Sequence, residues 1–150
     1  MDATLEVSHT GPEHLLLVGT FPGRTPRALF SAWTEPAQLC RWWPTQAEIE
    51  PREGGAYRLD WPQQGWTLRG RYTTFDPGNQ LGFTWRWDHD PAEGITTTVK
   101  LNFAPLGESA SQLRLTHGPY TVASADQEQR ASHLDGWRHF LARLQALPPA

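Results

Sequence analysis

SADQEQRASHLDGWRHFLARLQALPP, residues 124–149, is the stretch that decides the fold. At about 100° per residue, Leu134, Trp137, Phe140, Leu141, Leu144 and Leu147 fall within an arc of roughly 140°. Asp135, Arg138, His139, Ala142, Arg143 and Gln145 fall outside it. This is the pattern of one amphipathic helix over Ala125–Leu147, about 34 Å long at the α-helical rise. Ser124 and Gln127 have the spacing of a capping box, whose side chains satisfy free N–H groups at a helix start. Pro148 and Pro149 end the helix, because proline lacks the amide donor and clashes with the preceding turn. Such a helix crosses a whole domain, and the rest of the chain must cover its apolar face.

Two details of the helix bear on function. Arg130 and His133 project onto the same face as Trp137 and Leu144, near the N-terminal end. A buried polar group needs a partner or water, so this end of the face is expected to be hollow or wet. Gly136 sits mid-helix at a cost of about 1 kcal/mol relative to alanine; a glycine there lets another backbone, or a ligand, come close.

Outward from the helix, the middle of the chain alternates with period two, the mark of half-buried strands. Tyr57, Leu59 and Trp61 share one face; so do Leu68, Gly70 and Tyr72. Phe83, Trp85 and Trp87 form an aromatic row. Ile95, Thr97, Val99, Leu101 and Phe103 follow, then Leu113, Leu115 and His117. Glycine and proline groups separate them as turn signals. Residues 14–21 read as a first strand, broken at Pro22-Gly23. Thr25 is a plausible N-cap with Pro26 at the first helical position, and Ala28–Trp33 and Ala37–Trp42 read as two short helices forming a lid. Residues 1–13 carry no clear pattern and are expected to be partly disordered. Consecutive strands with short links make an antiparallel sheet of about six or seven strands, apolar on one face. The fold class is therefore α+β: a curved sheet wrapped on the long C-terminal helix, with two short helices after strand 1, in a single domain over 1–150. A curved sheet and one cylinder fill space imperfectly, which leaves either a cavity or a cluster of large side chains.

Composition narrows the functions. The chain has 150 residues and a formal net charge of −3, with acidic and basic residues interspersed. That argues against nucleic acid as a partner, which calls for a basic patch or stripe, and against a polybasic membrane anchor. No apolar run approaches the length of a membrane helix. Cys40 is the only cysteine, so no intrachain disulfide forms; with an N-terminus lacking signal-peptide features, the expected compartment is the cytoplasm. Eight tryptophans are the unusual feature. Several recur on strand-like stretches and suggest a wide aromatic interior.

The motifs resemble the START-like superfamily, also called SRPBCC or birch-pollen-allergen-like. Within it they resemble the branch named after the activator of the heat-shock protein's ATPase. The matching stretches are Phe30–Pro36, Arg41-Trp42-Trp43-Pro44, Arg52–Arg58, Gly70-Arg71-Tyr72, Phe83-Thr84-Trp85, Leu115–Gly118, and Gly136-Trp137 with Phe140, Leu141 and Leu144. One departure is that Trp43 runs directly into Pro44, where the family usually has Trp-Trp-Gly-Pro. The resemblance implies a helix-grip fold with an internal pocket. It implies no reaction, since the superfamily includes lipid carriers, hormone receptors and polyketide cyclases, and fold is a weak guide to function.

Candidate ligand-binding residues are Trp43, Tyr72, Phe83, Trp85, Trp87, His117, Arg130, His133 and Trp137. The aromatic rows would supply area for a small hydrophobic or aromatic molecule, and His117, His133 and Arg130 would fix a polar end. The competing interpretation is that the aromatics fill the interior, the histidines are hydrogen-bonded core residues, and the arginine snorkels to the rim. No residue stands out as catalytic. Asp88-His89-Asp90 lacks the geometry of a metal site, since adjacent strand residues point to opposite faces, and neither metal nor cofactor is expected. Non-enzymatic binding is the first reading. The alternatives are a cyclase- or hydrolase-type enzyme using the same cavity, with a histidine moving protons, and a co-chaperone stimulating a chaperone ATPase, which the family name alone suggests. A homodimer through a sheet edge or the lid stays open.

Overall fold

The computed structural model describes residues 2–8 and 11–149. In chain order the elements are β1 (Leu5–Ser8), β2 (Leu15–Pro22), α1 (Pro26–Thr34), α2 (Pro36–Leu39), β3 (Gln46–Ile49), β4 (Ala56–Trp61), β5 (Trp66–Asp76), β6 (Gln80–Trp87), β7 (Thr97–Leu106), β8 (Ala110–Gly118) and α3 (Ser124–Ala146). All strand pairs are antiparallel, in one sheet ordered β1-β2-β8-β7-β6-β5-β4-β3. The α+β helix-grip architecture is therefore observed. The sheet curves around α3, which buries His133, Trp137, Leu141 and Leu144 against it.

Eight strands replace the expected six or seven. The two additions, β1 and β3, are the sheet's edges. Each has only four residues and two partly buried apolar side chains, too little for period two to show in the sequence. Pairing with β2 and β4 creates them. Strand β1 also puts order inside residues 1–13: the Thr4 N–H donates to the Thr20 hydroxyl at 2.8 Å, and Gln145 of α3 donates to the Thr4 carbonyl at 2.7 Å.

Local signals explain the lid. Thr25 caps α1, its hydroxyl oxygen accepting the Ala28 N–H at 3.2 Å, with Pro26 in the first turn. Trp42 then donates its indole N–H to the Ala32 carbonyl at 2.9 Å. The Trp43 carbonyl accepts the indole N–H of Trp61 at 3.0 Å, tying the lid to β4. The capping box expected for α3 does not form. Ala123 takes the N-cap position and Ser124 is the first helical residue. The Gln127 amide instead donates to the carbonyls of Pro12 and Thr121, at 2.9 and 2.7 Å, and Asp126 accepts from the Thr121 hydroxyl.

The grip is asymmetric, and this positions the site. The close backbone approach of α3 is to β2. Polar side chains along that flank seat it: Arg130 donates to the His14 and Gly11 carbonyls, and Gln145 donates to those of Thr4 and Thr20. On the other flank, β4 to β6 present Trp61, Trp66, Trp85 and Trp87, whose bulk holds helix and sheet further apart. Gly70 of β5 lets the strands approach closely: a Cβ there would collide with the Thr84 carbonyl oxygen. A register shift between Tyr72 and Thr74 follows further along β5.

Substituting alanine at Gly70 is expected to destabilise the protein by at least about 2 kcal/mol, because the crowding neighbour is backbone and cannot rotate away. Urea denaturation tests this; an unchanged midpoint would show that the close approach does not depend on the missing Cβ.

Candidate functional site

Between α3 and the β4–β6 flank lies a half-open cleft of about 460 Å³, a size suited to a small organic ligand. Trp61, Trp66, Trp85 and Trp87 line it from the sheet and Trp43 from the lid. From α3 come Ala125, Gln129, Ser132, His133, Gly136, Trp137 and Phe140, while His89 and Asp90 stand after the end of β6. The indoles pack on one another. Trp43 stacks on Trp85 with centroids 5.8 Å apart, Trp137 lies 5.1 Å from Trp43, and Trp61 lies 5.4 Å from Trp87. Trp66, 46% exposed, is the one tryptophan open to solvent among the described residues. Gln129 donates to Asp90 at 3.2 Å, linking helix and loop.

Behind the cleft sits a pair of stacked imidazoles, His117 on β8 and His133 on α3, with centroids 4.7 Å apart and planes within 7°. The Trp137 indole N–H donates to His117 Nδ1 at 3.0 Å. An indole nitrogen only donates, so His117 Nδ1 carries no proton. Its Nε2 then holds the proton and donates to the Thr97 hydroxyl oxygen at 2.7 Å. His117 is neutral and fully engaged. Burial and the neighbouring His133 hold its pKa well below the ordinary histidine value. Burial brings His133 down to about 4. Burial also raises the Tyr120 phenol, which keeps its proton and shares a hydrogen bond of 2.7 Å with His133 Nδ1. His133 Nε2 and Trp85 Nε1 have no hydrogen-bond partner within the protein. Each such group costs about 1–3 kcal/mol when buried unsatisfied, and both residues line the cleft.

Of the residues singled out from sequence, Trp43, Trp85, Trp87, His133 and Trp137 meet at the cleft. His117 lies one layer behind, holding Trp137. Tyr72 and Phe83 pack in the interior beside Tyr57 instead. Arg130 is engaged by backbone carbonyls of the N-terminal segment and does not reach the cleft. Sequence reasoning missed Trp61, Trp66 and Phe140 as lining residues, and with them Ala125, Gln129 and Ser132. Ala125, Gln129, Ser132, Gly136 and Phe140 recur every three or four residues, a stripe beside the apolar one. That spacing was the available signal. His89 stacks on Trp87, while Asp88 holds Arg69 and Asp90 accepts the Trp87 N–H; the three adjacent residues have separate structural partners. The thiol of Cys40 is half-buried and raised by burial, which suppresses the nucleophilic thiolate.

Residues 24–148 match the family described as Activator of Hsp90 ATPase homolog 1-like protein. The chain belongs to that family, and with it to the START-like superfamily. Solved structures share the fold. A Rhodobacter sphaeroides protein is 22% identical with a TM-score of 0.75, covering 95% of each chain. An Hsp90 activator from Plasmodium falciparum is 22% identical with a TM-score of 0.70, over 89% of this chain and 94% of that one. CalU16 from Micromonospora echinospora is 20% identical with a TM-score of 0.62, over 97% and 85%. At these identities the likeness is one of fold. No curated protein matches the chain significantly.

The histidine pair makes stability depend on pH. A histidine whose folded pKa is lowered binds its proton more readily when unfolded, so stability is full above the unfolded value and falls as pH drops toward the folded one. With His133 at about 4 when folded, it alone removes about 2 kcal/mol between pH 8 and pH 5. His117 acts in the same direction. Urea unfolding at the two pH values measures the loss, and a flat profile would show that the pair is protonated in the native state.

Proposed function

We propose that this family member binds a small, mainly apolar molecule in the cleft between the sheet and α3, without chemically changing it. The observation that carries this reading is the cleft itself: about 460 Å³ beside a core otherwise filled by aromatic and leucine side chains. Indole faces offer flat apolar area at little loss of side-chain freedom. The unpartnered nitrogens of Trp85 and His133 offer polar anchoring. Trp43, Trp87 and Trp137 supply contact area, His117 fixes Trp137 in place, and Phe83 packs against Trp43 from the interior.

Enzymatic turnover is the less supported reading. General acid–base chemistry works best with a pKa near the working pH. His117 has both nitrogens engaged, and His133 is a weak base at about 4. A partner role in stimulating a chaperone ATPase is a second reading, favoured by the family and by the Plasmodium falciparum activator among the structural neighbours. A chaperone ATPase assay decides it, with no stimulation at saturating protein as the outcome against it.

The cleft reading has its own test. Native mass spectrometry and tryptophan quenching against a library of lipids and aromatics are expected to find saturable binders. Ser132→Trp, at an exposed helix position on the cleft wall, is expected to abolish their binding while circular dichroism is unchanged. A wild-type protein with no binder, or a Ser132→Trp variant that binds as well as wild type, would refute the reading.

A further inference from the structure

Gly136 stands in the middle of α3 without a packing reason to be glycine. A Cβ placed there meets no atom within 4 Å, so no neighbouring backbone demands its absence. Helix propensity favours alanine at this position. What lies over Gly136 is the cleft. Ser132, one turn earlier, is also small, so the helix offers a shallow strip. The indoles of Trp85 and Trp87 line the same cleft from the sheet. A shallow strip opposite flat rings makes a slot, and its thickness depends on what Gly136 lacks.

A separate observation points to a guest in that slot. His133 and Trp85 are 7% and 5% exposed, and His133 Nε2 and Trp85 Nε1 find no partner in the protein. Trp85 Nε1 is an N–H donor, and His133 Nε2 donates or accepts according to its tautomer. Their complement is an oxygen on an otherwise apolar molecule: it accepts from Trp85, and as a hydroxyl it also serves His133 in either tautomer.

We propose that Gly136 is the specificity-determining residue of the cleft, holding open a slot for a planar, polycyclic aromatic molecule bearing a phenol or carbonyl oxygen. This rests on the binding reading above and narrows it. The slot admits a flat ring system along α3, and a methyl group at residue 136 shortens or thins it. The oxygen accepts a hydrogen bond from the wall. A molecule of two fused rings leaves the slot partly empty and tolerates the methyl; one of four rings does not.

The test compares wild type, Gly136→Ala and Asp135→Ala with 2-naphthol and 1-hydroxypyrene, by titration calorimetry and thermal melting. Wild type is expected to bind both phenols. Gly136→Ala is expected to melt about 2–4 °C higher, to hold 2-naphthol within about threefold, and to lose about tenfold in affinity for 1-hydroxypyrene. Asp135→Ala, on the exposed side of α3, gains helix propensity and leaves both affinities unchanged. A Gly136→Ala protein that binds 1-hydroxypyrene as tightly as wild type would overturn the assignment. So would one that melts below wild type, since the glycine would then serve packing. A wild-type protein that binds neither phenol would also overturn the assignment, while the library screen and Ser132→Trp decide the cleft reading separately.

Discussion

The hydrogen bond from the Trp137 indole to His117 Nδ1 joins the helix to the sheet at the centre of the molecule. It is continued by His117 Nε2–H to the Thr97 hydroxyl, so α3, β8 and β7 share one buried polar chain. Each group has one role it can fill: indole gives, imidazole accepts and gives, hydroxyl accepts. The chain fixes the neutral tautomer of His117 and so permits His133 to stack on it without charge repulsion. It also fixes where Trp137 stands, and Trp137 is the pivot of the indole cluster, touching Trp33, Trp43 and Trp85. Removing one partner would leave the other buried and unsatisfied, a larger penalty than the net worth of the bond.

With the helix clamped at Trp137 and drawn to β2 by Arg130 and Gln145, it cannot settle evenly into the sheet. The β4–β6 flank carries the widest side chains, and wide rigid rings pack edge to face or offset rather than filling every gap. The cleft is the geometric remainder of those two facts. Its apolar walls come from the rings, and its polar rim comes from Asp90, Glu128, Gln129 and Ser132.

Much of this was legible in the sequence. The 3.6-residue period of α3 and the period-two rows of β4 to β8 pointed to the α+β class and the concave face, because those segments are long enough for periodicity to repeat. The edge strands β1 and β3 were not legible: four residues with two apolar side chains carry no period, and they exist through their pairing partners. The Ser124–Gln127 spacing misled because the Gln127 side-chain amide donates to the carbonyls of Pro12 and Thr121 instead of turning its oxygen to the free N–H groups of the helix start. At the site, Trp43, Trp85, Trp87, His133 and Trp137 followed from motif and face assignment. Tyr72 and Phe83 lie on that same inner face but further across it, and period two cannot say which inward residues meet a helix and which meet a lid. Arg130 shared the face of His133 by projection, yet its long side chain reaches sideways to the N-terminal segment, which only tertiary placement reveals.

The most direct measurement is a crystal structure of the protein grown with a saturating polycyclic phenol. If the clamp holds a slot open, ring density lies between Trp85 and Gly136, the phenol hydroxyl meets Trp85 Nε1 or His133 Nε2, and the Trp137–His117 hydrogen bond is unmoved. Indoles of Trp43 or Trp87 swung inward to fill the space, with the phenol elsewhere on the surface, would contradict it.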